Sequence, residues 1–107
     1  MTDVVQILVT AGSRDEADRI AGRLLERRLA ACVQILGPIS SRYWWRGTLE
    51  SAEEWLCIAK TTAEAFDRAA DVIRAVHSYE VPEITAIPVV AGLESYLQWV
   101  GEETAGR

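Results

Sequence analysis

With 107 residues, half of them hydrophobic and a quarter charged, the chain has the mixture of one globular domain over 1–107 rather than of a linker or a disordered tail. Its formal charge of −5 excludes a non-specific nucleic-acid binder, because a phosphate backbone is held by clustered Lys and Arg, whereas Arg14, Arg19, Arg23, Arg27 and Arg28 are interleaved with Asp15, Glu16, Asp18 and Glu26. No stretch approaches the roughly 18 apolar residues of a membrane span, and the segment after Asp3 lacks the pattern of a secretory leader, so a cytoplasmic protein with neither membrane nor nucleic-acid partners is expected.

The first element is VVQILVT, Val4 to Thr10, rich in β-branched residues and of strand length, with apolar residues at both odd and even positions. Ser13 and Glu16 then form a capping box, and Ala17, Ile20, Ala21, Leu24 and Leu25 recur at helical spacing, which predicts an amphipathic helix with one stripe toward a core. The stretch from Ala30 to Glu50 and that from Glu53 to Thr62 read as two long strands joined near Gly47, a residue free to adopt the positive φ of a tight hairpin. Pro38 predicts a bulge or an edge position part-way along the first of them.

If the turn centres on Gly47–Thr48, Cys57 falls opposite a residue near position 38, about six residues or ~20 Å along the strand from Cys32, which excludes a disulfide. Both cysteines sit in apolar stretches without Cys-x-x-Cys spacing and read as buried free thiols.

Thr61 and Glu64 predict a second capping box, followed by a helix with Phe66, Ala69, Ala70, Ile73 and Val76 on its apolar face and His77 at its end. Pro82 disfavours helical geometry at Val81, and a strand resumes over Ile84 to Val90, with Pro88 marking an edge or a bulge. After Gly92, the apolar residues Leu93, Tyr96, Leu97, Trp99 and Val100 predict a last helix. The order is β-α-β-β-α-β plus a terminal helix, an α+β, ferredoxin-like antiparallel sheet with two helices on one face. Tyr43, Trp44, Trp45 and Trp55 are more aromatic surface than a domain of this size hides readily, so several copies are expected to pack together with closed symmetry.

With these elements in place, the sequence resembles the CutA family, the divalent-cation tolerance proteins, over essentially its whole length. The resemblance is carried by Ala30-Ala31-Cys32-Val33, by Tyr43, Trp45 and Gly47, by Lys60-Thr61, by Tyr79-Glu80-Val81-Pro82-Glu83-Ile84, and by Gly92, Tyr96 and Trp99. It implies a homotrimer with the architecture of the PII signalling proteins and a link to copper and other divalent metals; it implies neither a catalytic activity nor a required cofactor. The chain departs from the family pattern at Ser78 and Gln34, and it has Val9 where some members carry a cysteine linked to copper.

Two roles are open to His77. Neutral imidazole binds Cu(II) and other late divalent ions well, with Glu83 or Glu80 to complete a shell, so His77 and Glu83 are the candidate metal ligands. A histidine in the last helical turn also serves simply to meet free carbonyls. Tyr43, Trp45, Lys60, Tyr79 and Glu80 are the candidate lining of an inter-subunit cleft for a small anionic ligand, although the aromatic residues are expected first to pack in an interface and Lys60 to form an ion pair with Glu80 or Glu83. Enzymatic templates fail: there is one histidine, no G-x-S-x-G, no phosphate loop, and Glu53 and Glu54 point to opposite faces of a strand instead of converging.

Overall fold

Alternation along the first strand decides where the core lies: Val5, Ile7, Val9 and Ala11 are buried, while Gln6, Leu8 and Thr10 are only partly covered. In the computed structural model, which describes residues 2–104, this strand is β1 (Val4–Ala11), and the chain continues through α1 (Arg14–Glu26), β2 (Cys32–Trp45), β3 (Thr48–Thr62), α2 (Phe66–Val76), β4 (Ile84–Pro88) and α3 (Glu94–Thr104). The strands form one antiparallel sheet in the order β2-β3-β1-β4. The ferredoxin-like expectation holds.

The core is built where α1 and α2 lie on the sheet. Ala17, Ile20 and Leu24 of α1 and Ala69 and Ile73 of α2 meet Ile7, Val9, Cys57 and Ala59. At about 25 cal/mol per Å² of apolar surface removed from water, such fully buried side chains are the main source of stability in a chain this short.

Local signals position α1 at both ends. The Ser13 hydroxyl accepts from the Glu16 amide at 3.1 Å, closing the first turn. At the other end Arg28 takes φ 55°, the Arg28 amide donates to Leu25 and the Leu29 amide to Leu24, a Schellman stop made without glycine. The Arg28 side chain then reaches Glu103 of α3 at 2.8 Å.

The β2–β3 hairpin turns on Arg46 and Gly47, at φ 50° and 80°, with Trp45 paired to Thr48. The bulge predicted at Pro38 is present: the register shifts between Leu36 and Ile39, where Gly37 and Pro38 stand against Trp55. Earlier placement of the turn and the extra residue bring Cys57 opposite Ile35 rather than position 38. Cys32 is therefore only three positions away, ~10 Å along the strand, and on the other face by alternation, which still excludes a disulfide. Both cysteines are free thiols; Cys57 is buried and Cys32 partly so.

Two other boundaries differ from the sequence expectation. Thr61 is no helix cap: it is a fully buried β3 residue paired with Val5, its hydroxyl without a hydrogen-bond partner, while Glu64 pairs with Arg68. The strand runs one residue further than a cap at Thr61 allows, and Ala63 to Ala65 make a short 3₁₀ turn whose first amide donates to Asp3. β4 ends at Pro88, two residues short of the expected Val90, although the Val89 amide still donates to the Val4 carbonyl of β1.

The second sheet face is not bare. α3 packs against β3 and β1 and buries Val100, with Tyr96 beside Cys32, which shares its face with Lys60 and Gln6. β2 and β3 have 14 and 15 residues against eight in β1, so beyond the Ala11–Trp55 pair the hairpin projects as a two-stranded arm. That arm forms one wall of the site.

Candidate functional site

Period two along the arm sets the lining. Ile39 pairs with Glu54, Ser41 with Ala52 and Tyr43 with Glu50, so Glu54, Ser41, Tyr43 and Trp45 share one face. The segment from α2 to β4 crosses in front of that face. Between them lies a cleft of about 840 Å³ lined by Thr10, Ser41, Tyr43, Trp45, Glu54, Tyr79, Glu80 and Glu83, with Arg42 and Trp44 also contributing. A cavity of this size with aromatic walls and a few polar groups has the character of a ligand site.

His77 ends α2 and fixes the crossing segment. Its side chain is fully buried, Nε2–H donates to the Thr10 carbonyl at 2.7 Å, and Nδ1 accepts from the Tyr79 amide at 3.1 Å. A ring nitrogen that accepts an N–H bond carries no proton, so the pair of bonds sets the Nε2–H tautomer. The Tyr79 ring lies 4.7 Å from the imidazole, tilted by 50°.

Glu16, four per cent exposed, ties three elements together. Its carboxylate accepts from the Gly12 amide at 3.3 Å and from the Ser78 amide at 2.9 Å, and lies 3.9 Å from His77 Nδ1. Burial alone pushes its pKa up, but the bonds from Ser78 and Gly12 outweigh it and leave the group below the ordinary carboxylate range. The sequence expects Glu16 to close a capping box, but only the Ser13 half of it forms, because the Glu16 carboxylate serves the Gly12 and Ser78 amides instead.

On the cleft floor the Tyr79 hydroxyl donates to Glu54 Oε2 at 2.7 Å. Burial, then the carboxylate it bonds, drives the Tyr79 phenol far above its ordinary pKa. Glu54 itself is six per cent exposed, and no Lys, Arg or His among the described residues lies within salt-bridge distance of it. The two neighbouring glutamates do face opposite ways, Glu53 to solvent and Glu54 inward. Two acidic residues in succession on a strand, whose side chains alternate between its faces, were the available sign that one of them turns inward.

Of the predicted site residues, the structure brings Tyr43, Trp45, Tyr79, Glu80 and Glu83 to one cleft. His77 stands behind that lining with both ring nitrogens engaged, so it does not join Glu83 as an open ligand pair. Among the described residues no three His, Cys, Asp or Glu side chains converge as a metal cage. Lys60 is elsewhere. It pairs in register with Gln6 and Cys32, far along β3 from the arm, and its Nζ donates to Gln34 Oε1 at 2.7 Å, so the expected ion pair with Glu80 or Glu83 does not form. Arg46 at the hairpin tip takes that place, 3.0 Å from Glu80, while stacking 5.1 Å over the Trp45 ring.

Comparison with known proteins agrees with the fold. The CutA1 divalent ion tolerance protein family matches residues 5–103. The divalent-cation tolerance protein CutA of Archaeoglobus fulgidus is 50% identical over 96 residues, covering 90% of this chain and 93% of that one. Its Thermus thermophilus counterpart is 42% identical over 98 residues, covering 92% and 95%. Among solved structures, that of the A. fulgidus protein, described as periplasmic, superposes with a TM-score of 0.92 at 48% identity over 94% of this chain and 98% of that one. Shared sequence over nearly the whole length, together with the shared fold, identifies the chain as a member of the CutA1 divalent ion tolerance protein family.

Proposed function

We propose that the chain works as a homotrimeric divalent-cation tolerance protein that binds copper or another divalent ion weakly, with Glu83 at the rim of the cleft as the ligand that one chain offers. The observation that carries the assembly is the exposed apolar surface of the single chain: Trp44, Val81, Val90 and Leu93 are each at least two-thirds exposed, and Trp45, Tyr96 and Trp99 more than a third. Monomers rarely leave so much apolar surface in water, and a closed symmetric ring covers it.

For the ion, the donor set of one chain does not fit a tight site: His77 is committed to Thr10 and Tyr79, and one exposed glutamate does not hold a divalent ion firmly. Ligands from neighbouring copies are needed to complete the shell, and His77 then acts by holding Tyr79 to Glu83 in place. The role is binding and not catalysis, since the single histidine activates no nucleophile. In this reading the protein is cytoplasmic, and cell fractionation checks this against the periplasmic description of the A. fulgidus protein.

The test is calorimetric titration of Cu(II) into metal-stripped protein, beside His77→Ala and Glu83→Gln, with masses from light scattering. Three times the 11.8 kDa chain, Cu(II) binding by the wild type and weaker binding in both variants support the proposal. A monomeric mass, or unchanged affinity in both variants, sinks it. A second reading, a PII-like sensor of a small molecule, is favoured by the volume and aromatic walls of the cleft; its anionic version draws no support from Lys60, which lies outside.

A further inference from the structure

The unusual group in the cleft is Glu54. A carboxylate taken out of water normally sits with a cation or several hydrogen bonds, because desolvation disfavours its charge. Here the structure supplies one bond, from Tyr79 to Oε2, and no basic side chain among the described residues within reach. Glu54 is nonetheless 94% buried on the wall of a cleft of about 840 Å³, on the same strand face as Tyr43 and Trp45. Glu80 and Glu83 stand at the rim, so carboxylates outnumber the one lining guanidinium, that of Arg42, and Arg46 is already engaged with Glu80.

A recessed carboxylate beside aromatic rings is the donor set that recognises a nitrogen cation: the carboxylate accepts N–H bonds and the ring faces attract the charge. An anion meets three carboxylates there. A hard divalent ion meets one recessed carboxylate whose second oxygen is occupied by a phenol, fewer oxygens than it requires.

We propose that the cleft binds the ammonium end of a small organic amine, with Glu54 as its acceptor, Tyr79 holding that carboxylate in position, and Tyr43 as an aromatic wall. This does not depend on the metal reading, since Glu54 is not among the residues assigned to the ion. The probe is n-butylammonium, titrated calorimetrically into the assembled wild-type protein in the presence of a chelator, beside n-butanol and butyrate as uncharged and anionic counterparts. The chelator separates the outcome from that of metal binding.

The amine is expected to bind about tenfold or more tightly than either counterpart, and Glu54→Gln, which keeps the shape and removes the charge, to lose about tenfold, the size of one charge-assisted hydrogen bond. Equal binding of amine and alcohol by the wild type overturns the proposal without recourse to any variant. So does an undiminished affinity in Glu54→Gln. A wild type that ignores the amine while Glu54→Gln lowers the assembly mass also overturns it, by assigning the carboxylate to a basic side chain of a second copy.

Discussion

Tyr79 and Glu54, 25 positions apart in the chain, are joined by a 2.7 Å hydrogen bond from the phenol to the carboxylate. The bond connects the segment that leaves α2 to the projecting β2–β3 arm, so it sets how the two walls of the cleft face each other. Tyr79→Phe removes the donor and leaves a buried carboxylate without its partner, a change expected to cost about 1–3 kcal/mol. Denaturant unfolding at matched subunit concentration checks it, and a loss indistinguishable from zero means that the arm is held by other contacts.

Glu16 is expected to govern the acid limb of stability. Its folded pKa lies below the reference 4.5, so between the two values the unfolded chain binds more protons and stability rises with pH. The contribution is complete above 4.5 and is lost as pH falls through the lower folded value. Glu16→Gln flattens that limb and destabilises the neutral protein by about 1–3 kcal/mol, through the weakened bonds to Gly12 and Ser78. Unfolding curves collected across the acid range read both effects, and an unchanged acid limb refutes the assignment.

The hairpin tip places a non-glycine residue, Arg46, at φ 50°. Asn accepts this region more readily, and Asn-Gly is the preferred pair for such a two-residue turn. Arg46→Asn is expected to be neutral or stabilising by up to ~1 kcal/mol. The lost pair with Glu80 subtracts little, because both side chains are about 70% exposed. A fall in melting temperature of several degrees contradicts this and assigns the Arg46–Trp45–Glu80 contact a larger share.

Two glycines are expected to respond in opposite directions to alanine. At Gly37 an added methyl comes within 2.5 Å of the Trp55 ring, at the bulge, so Gly37→Ala displaces the indole and costs about 1–3 kcal/mol. Gly22 lies within α1 with open space at its Cβ position, so Gly22→Ala stabilises by about 0.5–1 kcal/mol through helix propensity. Thermal unfolding of the two variants side by side distinguishes them, and loss of stability in Gly22→Ala shows that this face of α1 is covered in the assembly.

Local periodicity and turn chemistry account for what is legible in the chain alone. The alternation of Val5, Ile7 and Val9, the helical stripe from Ala17 to Leu24, the Ser13 cap, the glycine turn and the Pro38 bulge depend on neighbours within a few residues, so the order of residues is enough to place them. The aromatic and acidic members of the cleft are visible too, as residue types in a resemblance. Which of them meet is settled by tertiary contacts. Whether Lys60 or Arg46 faces Glu80 depends on the register of a long hairpin, where the choice of turn and one extra residue at the bulge move every distal pair. Whether His77 offers its nitrogens to an ion or commits them to Thr10 and Tyr79 depends on a strand 67 positions away. Thr61, a helix cap by pattern, is a buried strand residue because β3 must run on to pair with Val5. Each of these outcomes is a contact between segments distant in sequence, and long-range pairing leaves no periodic trace in the chain that makes it.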